Sequence, residues 1–471
     1  MSRSEQNENS AFPSAVEQQS REGVSRRKFM IGAGALAFSG LASSVLGKQV
    51  SLSDMPLSKG FGPLITDSEK LLDLPAGFSY SVISSLGNVM SDGFHVPDRA
   101  DGMGCLPLTE DTVALIRNHE LKPKHLKTSP ESIQQHKTAN TYGKNAEGVA
   151  LPGGTSTIIY NVKNKRVEKE FLSLVGTIRN CAGGITPWGT WLSCEESVTK
   201  VGSESNKDHG YIFEVPATAT GVIEAKPLIA MGRFNHEAAA VDPKTGIVYL
   251  TEDRGDSLFY RFIPNVYGEL DKGGQLQALK IKGMAKFDSR NWDKKRMSLG
   301  DWHQAEWIDL DQPESPNDDL RIRGYEAGAT LFARGEGIHW GDDELYFCCT
   351  NGGEKQLGQI MRFQPDANDV AGGQLQLFLE SEDETLYNFG DNLTVTPFGH
   401  LIVCEDQYTD VVDNHLRGVT PDGKLYNFAK LRAQTELAGA CFSPDGKTLF
   451  VNVYSPTKTL AITGPWDSFL G

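Results

Sequence analysis

The segment NCAGGITPWGTWLSCEE, Asn180 to Glu196, puts a cysteine at the start of a β-hairpin pattern and two glutamates at its end. In an antiparallel pair those two ends lie side by side. A soft thiol and two hard carboxylates would then share one edge of a hairpin. The pattern recurs in NHEAAAVDPKTGIVYLTED from Asn235, GEGIHWGDDELYFCCTN from Gly335, GDNLTVTPFGHLIVCED from Gly390 and ELAGACFSPDGKTLFVNV from Glu436, with a looser copy from Asp101. Aligned on their turns, the copies share a register. Cys181, Glu237, Asp391 and Asp101 each stand six residues before a proline, and Glu336 six before Asp342. Fifteen residues further on come Glu196, Glu252, Asp406 and Asn351, while the last copy offers only Ala438 and Val453.

Strand alternation turns a constant spacing into a constant direction. Carboxylates from four or five hairpins, and one thiolate, would crowd a single spot. So many negative charges do not persist in a partly buried site without cations. Carboxylate and amide oxygens suit Ca2+ or Mg2+, and the thiolate suits iron or zinc. The His-rich and CxxC signatures of zinc are missing, as are a GxSxG elbow, a Walker A loop and a GxGxxG fingerprint. Arg334, two residues before Glu336, is well placed to hold an anion, with Arg254 and Arg117 as further candidates.

The elements that must carry these residues are short strands. Helical periodicity is almost absent after residue 80, and hairpins with Pro, Gly or Asp turns follow one another. Repeated units of this kind predict an all-β chain folded as a β-propeller of about six blades, seven being the alternative, with the metal cluster at the mouth of the central channel. A β-sandwich is the competing architecture.

The chain has 471 residues, 23% of them charged and 39% hydrophobic, with a net charge of −15. That balance excludes nucleic acid as a partner, because phosphate backbones bind basic surfaces. Residues 1–47 read as a polar extension and a twin-arginine export signal: Arg26 and Arg27 precede Phe29 and a mildly apolar Gly/Ala-rich run. Residues 48–471 then form one propeller domain, without a membrane span. Seven cysteines, an odd number, leave at least one unpaired.

Together RNHE, PGGTS, NCAGGITPWGTWLSCEE, GRFNHEAAAVDP, TEDRGDSLFYRF, RGEGIHW, CCTNGG and NFGDNLTVTPFGHLIVCED resemble the PhoX-type alkaline phosphatases, in order, over about residues 50–465. The resemblance implies a β-propeller phosphatase that hydrolyses phosphomonoesters outside the cytoplasmic membrane, with Fe3+ and Ca2+ in an oxo-bridged cluster. It implies Cys181 as the thiolate ligand of iron, and Glu237 and Glu336 as ligands bridging iron and calcium. Glu195, Glu196, Asn118, Glu120, Asp256 and Asp391 would complete the calcium side. Arg334, with Arg254, would bind the phosphate, and the nucleophile would come from the cluster. The implied protein is a monomer, exported by the twin-arginine machinery to the periplasm or beyond. Loops between blades look shorter here than in typical members, which leaves the ester open. Two other functions compete: a calcium-dependent propeller hydrolase of the lactonase or phosphotriesterase kind, and a non-catalytic propeller with structural calcium. The first would need no thiolate, so Cys181 counts against it, and the alignment of Arg334 with the ligand set argues against the second.

Overall fold

The computed structural model describes residues 57–127, 140–367 and 369–471. The export signal lies outside the described residues. Within them the chain is built almost wholly of antiparallel strands, with one α-helix, Leu320–Glu326.

Six short strands stand side by side around an axis: Ala100–Pro107, Asn180–Ile185, His236–Val241, Gly335–Trp340, Gly390–Val395 and Leu437–Phe442. Each packs against the next, and the last packs against the first. Their sequences explain how they come so close. A Cβ on Gly184 would lie 2.2 Å from the carbonyl oxygen of Ala239, and one on Gly337 would lie 2.6 Å from the Cα of Asn392. The Gly and Ala runs NCAGG, HEAAA and ELAGA are thus the steric condition for backbones to meet at the axis.

Outward from each inner strand the chain meanders through further strands. The last blade is completed by Ser79–Ser85, from the beginning of the described chain, which pairs with Lys458–Thr463. This closes the ring with a strand from the opposite end of the described chain. Hydrogen bonding runs through five sheets, not through six separate blades. The reason is Trp302–Asp309. Its second half pairs with Gly274–Ile281 and its first half with Gly373–Glu380, joining two neighbouring units into one nine-stranded sheet. All seven cysteines are buried and none is joined in a disulfide, so no disulfide braces the ring.

Candidate metal centre

Every inner strand begins with the same irregularity. Its register to the next strand shifts between residues 100 and 103, 180 and 183, 236 and 239, 335 and 338, 390 and 393, and 438 and 441. A bulge of this kind frees a residue from the ladder and re-aims its side chain. Within the first five bulges lie Asp101, Cys181, Glu237, Glu336 and Asp391, the residues picked out by the spacing before the turns. The sixth holds Gly439 and Ala440.

The second strands add another set, and alternation splits it in two. Glu195 pairs with Asn180, Glu252 with His236, and Glu405 with Gly390. These three glutamates turn back into their own blades. Glu195 accepts hydrogen bonds from the backbone N–H groups of Ile178, Gly210 and Tyr211 and meets His209 Nδ1 at 2.6 Å. Glu405 accepts from the N–H groups of Asn388 and His415 and from Arg417. Glu252 accepts from the Tyr260 hydroxyl. The residues one position further on, Glu196, Asp253 and Asp406, face the other way, as does Glu120 after His119 in the first hairpin.

Side chains from all six blades therefore converge at one mouth. Their ligand atoms form three groups, each with all atoms within 4.8 Å of one another: Glu120, Cys181 and Glu196; Glu237, Glu336 and Asp391; Asp391, Asp406 and Glu436. Asp391 belongs to two groups. Cys181 joins the first group to the second, its Sγ lying 2.7 Å from Glu196 Oε2 and 2.8 Å from Glu237 Oε2.

Two arginines are threaded through the acids. Arg179 donates to Glu120 and Glu196. Arg334 Nε donates to Asp253 Oδ1 at 2.7 Å, and its Nη2 to Asp253 Oδ2 at 3.1 Å and Glu336 Oε1 at 2.8 Å. The guanidinium also lies 5.4 Å from the centre of the Tyr408 ring and its Nη2 donates to the Tyr408 hydroxyl at 3.3 Å, while its Nη1 makes no hydrogen bond among the described residues. Each arginine stands two residues before a bulged ligand, and both adopt positive φ, 55° and 49°. The left-handed conformation lets a long side chain leave the strand start towards the axis, at a cost that only a fixed surrounding structure sustains.

The donor set fits metal ions. Eight carboxylates (Glu120, Glu196, Glu237, Asp253, Glu336, Asp391, Asp406 and Glu436) and one thiol are buried or nearly so, against two arginines. Burial raises Glu196 to about 8, despite the opposing charge of Arg179 and reinforced by Asp253, Glu237 and Glu120. Burial also raises Glu336 well above the carboxylate range, with Asp391 the next cause. Asp253 goes the other way: its burial is outweighed by Arg334, which holds it below the usual value. Burial thus favours the protonated form of both Glu196 and Glu336, and bound cations would displace those protons. One S–H on Cys181 also cannot serve two carboxylate oxygens at once. A shared proton or a cation must fill that gap.

The model of the alkaline phosphatase PhoX family matches residues 59–457. The chain belongs to that family. Among solved structures, PhoX of Pseudomonas fluorescens in complex with vanadate, a transition state analogue, superposes with a TM-score of 0.66 at 19% identity, over 88% of this chain and 99% of that one. More distant are a gluconolactonase from Xanthomonas campestris (TM-score 0.35, 13% identity, 79% and 97% of the chains) and a putative 6-phosphogluconolactonase from Bacteroides uniformis (0.39, 11%, 81% and 91%). No curated protein matches the sequence. As a PhoX-family β-propeller, the chain is an alkaline phosphatase, a phosphoric monoester hydrolase.

Not every expected residue of this PhoX-family site is at the mouth. Asn118 lies beneath it: its Nδ2 donates to the carbonyls of Cys181 and Ala182, and its Oδ1 accepts from Trp191 Nε1 and Ser193 Oγ. With both ends of the amide committed, it braces the bulge that aims Cys181. Glu195 is the framework carboxylate described above. Asp256 is half exposed and paired with Arg321. Arg117 is fully buried among Ser84, Ser156, Thr459 and Glu170, away from the acids. Arg254 bonds to Asp318 and lines a neighbouring cleft. The residues the spacing missed are Arg179, Asp253 and Glu436. Arg179 shared the register of Arg334, and Asp253 was hidden because its hairpin is one residue longer than that of Cys181.

Proposed function

We propose that this PhoX-family phosphatase hydrolyses phosphomonoesters at a centre of iron and calcium, and that it is exported folded by the twin-arginine route to act as a monomer in the periplasm or beyond. The observation that carries the metal assignment is Cys181 bracketed by Glu196 and Glu237 at the junction of the acid groups. The thiolate favours iron on the side of Cys181, Glu196 and Glu120. The all-oxygen set of Asp391, Asp406 and Glu436 favours calcium, and Glu237 and Glu336 stand between them. When bound, the cations neutralise phosphate charge and supply the nucleophile.

The protein's own groups position the ester. Asp253 fixes the guanidinium plane of Arg334 through two parallel bonds, and the Nη1 edge remains to donate to phosphate oxygens. Tyr408 supports the face of that guanidinium. Arg179, held by Glu120 and Glu196, presents a second positive charge at the edge of the site. Such charges, fixed before the substrate arrives, stabilise the negative charge spread over a transferred phosphoryl group.

The test is hydrolysis of p-nitrophenyl phosphate by the purified full chain, before and after chelation and after return of iron, calcium or both. Activity restored only by the two together supports this reading. Full activity with calcium alone would remove iron, and the role of Cys181, from the mechanism.

A further inference from the structure

Beside the acid cluster lies a cleft of about 510 Å3, open to solvent. That volume falls in the range of about 300–1,000 Å3 that takes a whole small molecule. Its inner end is formed by Arg179 and Glu196, both part of the metal centre, so the cleft and the proposed phosphate position share a wall. Its outer walls carry Lys122, Lys124 and Arg254. Four cations thus line the cleft with two carboxylates, Glu196 and an exposed Glu204; of the four, Arg179 is paired with Glu120 and Glu196, and Arg254 with Asp318. An outer wall bearing two lysines and an arginine stands out on a chain of net charge −15. Arg254 is held in place from behind: Asp318 accepts from its Nη2 at 3.0 Å and from Arg321 Nη1 at 3.1 Å. The apolar side chains of the lining are Pro123, Ile178 and Val198.

From this placement we infer that the cleft receives the alcohol portion of the phosphomonoester, and that it selects alcohols bearing a second anionic group, a carboxylate or another phosphate. The inference rests on the phosphatase reading above and deepens it by naming the substrate class. The phosphoryl group sits at the cluster, and the leaving alcohol extends past Arg179 towards Lys122 and Lys124. An uncharged alcohol has only the apolar part of the lining to gain from and draws nothing from the charged walls. An anionic one gains from several cations at once, in a concave site that focuses their field.

The test compares two matched esters on the metal-loaded full chain. 3-Phosphoglycerate releases an alcohol with a carboxylate, and glycerol 3-phosphate releases an uncharged one. At low ionic strength the wild type should prefer the former by roughly tenfold in kcat/KM, the gain lying in KM and shrinking as salt screens it. Lys122→Ser with Lys124→Ser should abolish that preference, and Lys122→Glu with Lys124→Glu should reverse it. Equal kcat/KM for the two esters in the wild type would overturn the inference. So would a parallel loss on both in the double variants. Absence of any hydrolysis, p-nitrophenyl phosphate included, would overturn the phosphatase reading itself and this inference with it.

Discussion

Cys181 Sγ lies 2.8 Å from Glu237 Oε2, a contact between the inner strands of adjacent blades. Each residue sits in the bulge of its own strand, so the contact depends on two independent irregularities having the same phase. It converts separate groups of acids into one continuous site. A thiol placed there is the group whose removal should divide iron from calcium.

Cys181→Ala should lose iron and its visible absorption while keeping most of its calcium. Phosphatase activity should fall at least 100-fold, more than the roughly 10–100-fold typical of losing an outer partner of a metal ligand. Metal analysis, an absorption spectrum and an assay on one preparation check this. Retained colour and activity would remove the residue from the centre.

Arg334→Lys keeps the charge but loses the fork that meets Asp253 twice. The expected loss is about 10²–10³-fold in kcat/KM, the scale of removing one fixed donor to a charged transition state. Arg254→Ala, at the cleft wall, should cost less on p-nitrophenyl phosphate. Steady-state kinetics on both variants decide the ranking.

The two adjacent glutamates should behave as opposites. Glu195→Gln places an amide N–H2 against backbone N–H groups that now donate to a carboxylate. It should destabilise the protein by about 2–3 kcal/mol. Glu196→Gln should leave metal-free stability nearly unchanged or improved, and lose metal. Denaturant melts of the metal-free proteins beside their metal contents test the contrast.

Metal-free protein should lose stability as pH rises. Glu196 is raised to about 8 and Glu336 is raised well above the carboxylate range, so the folded state holds protons that the unfolded chain releases near its ordinary carboxylate value of 4.5. The stabilising effect is complete below that value and is lost as pH climbs through about 8. Metal-loaded protein has exchanged those protons for cations and should not show the decline. Thermal melts between pH 5 and 9, with and without chelator, check the sign.

The convergence of the bulged acids and the thiol was legible in the sequence because a turn fixes the distance back to the strand start, whatever lies beyond it. Cys181, Glu237, Glu336 and Asp391 follow from that alone. The returning strand was harder to read. One additional residue in the Glu237 hairpin shifts its register, so that Glu252 takes the framework position of Glu195 while Asp253 takes the position facing the mouth. A slip of one residue exchanges the two faces of a strand. Glu436 escaped because its blade carries no acid in its bulge and supplies one from the residue before the strand. The pairing of Trp302–Asp309 with two neighbours was also invisible, since a strand's sequence does not say how many partners it takes.

The measurement that tests the central claim most directly is the iron, calcium and zinc content of the purified full chain, taken with its p-nitrophenyl phosphate activity. Iron and calcium present together, with activity that rises and falls with both, is the predicted result. Calcium without iron in a fully active protein would contradict it, and would leave the thiol at the centre of the mouth without a metal to hold.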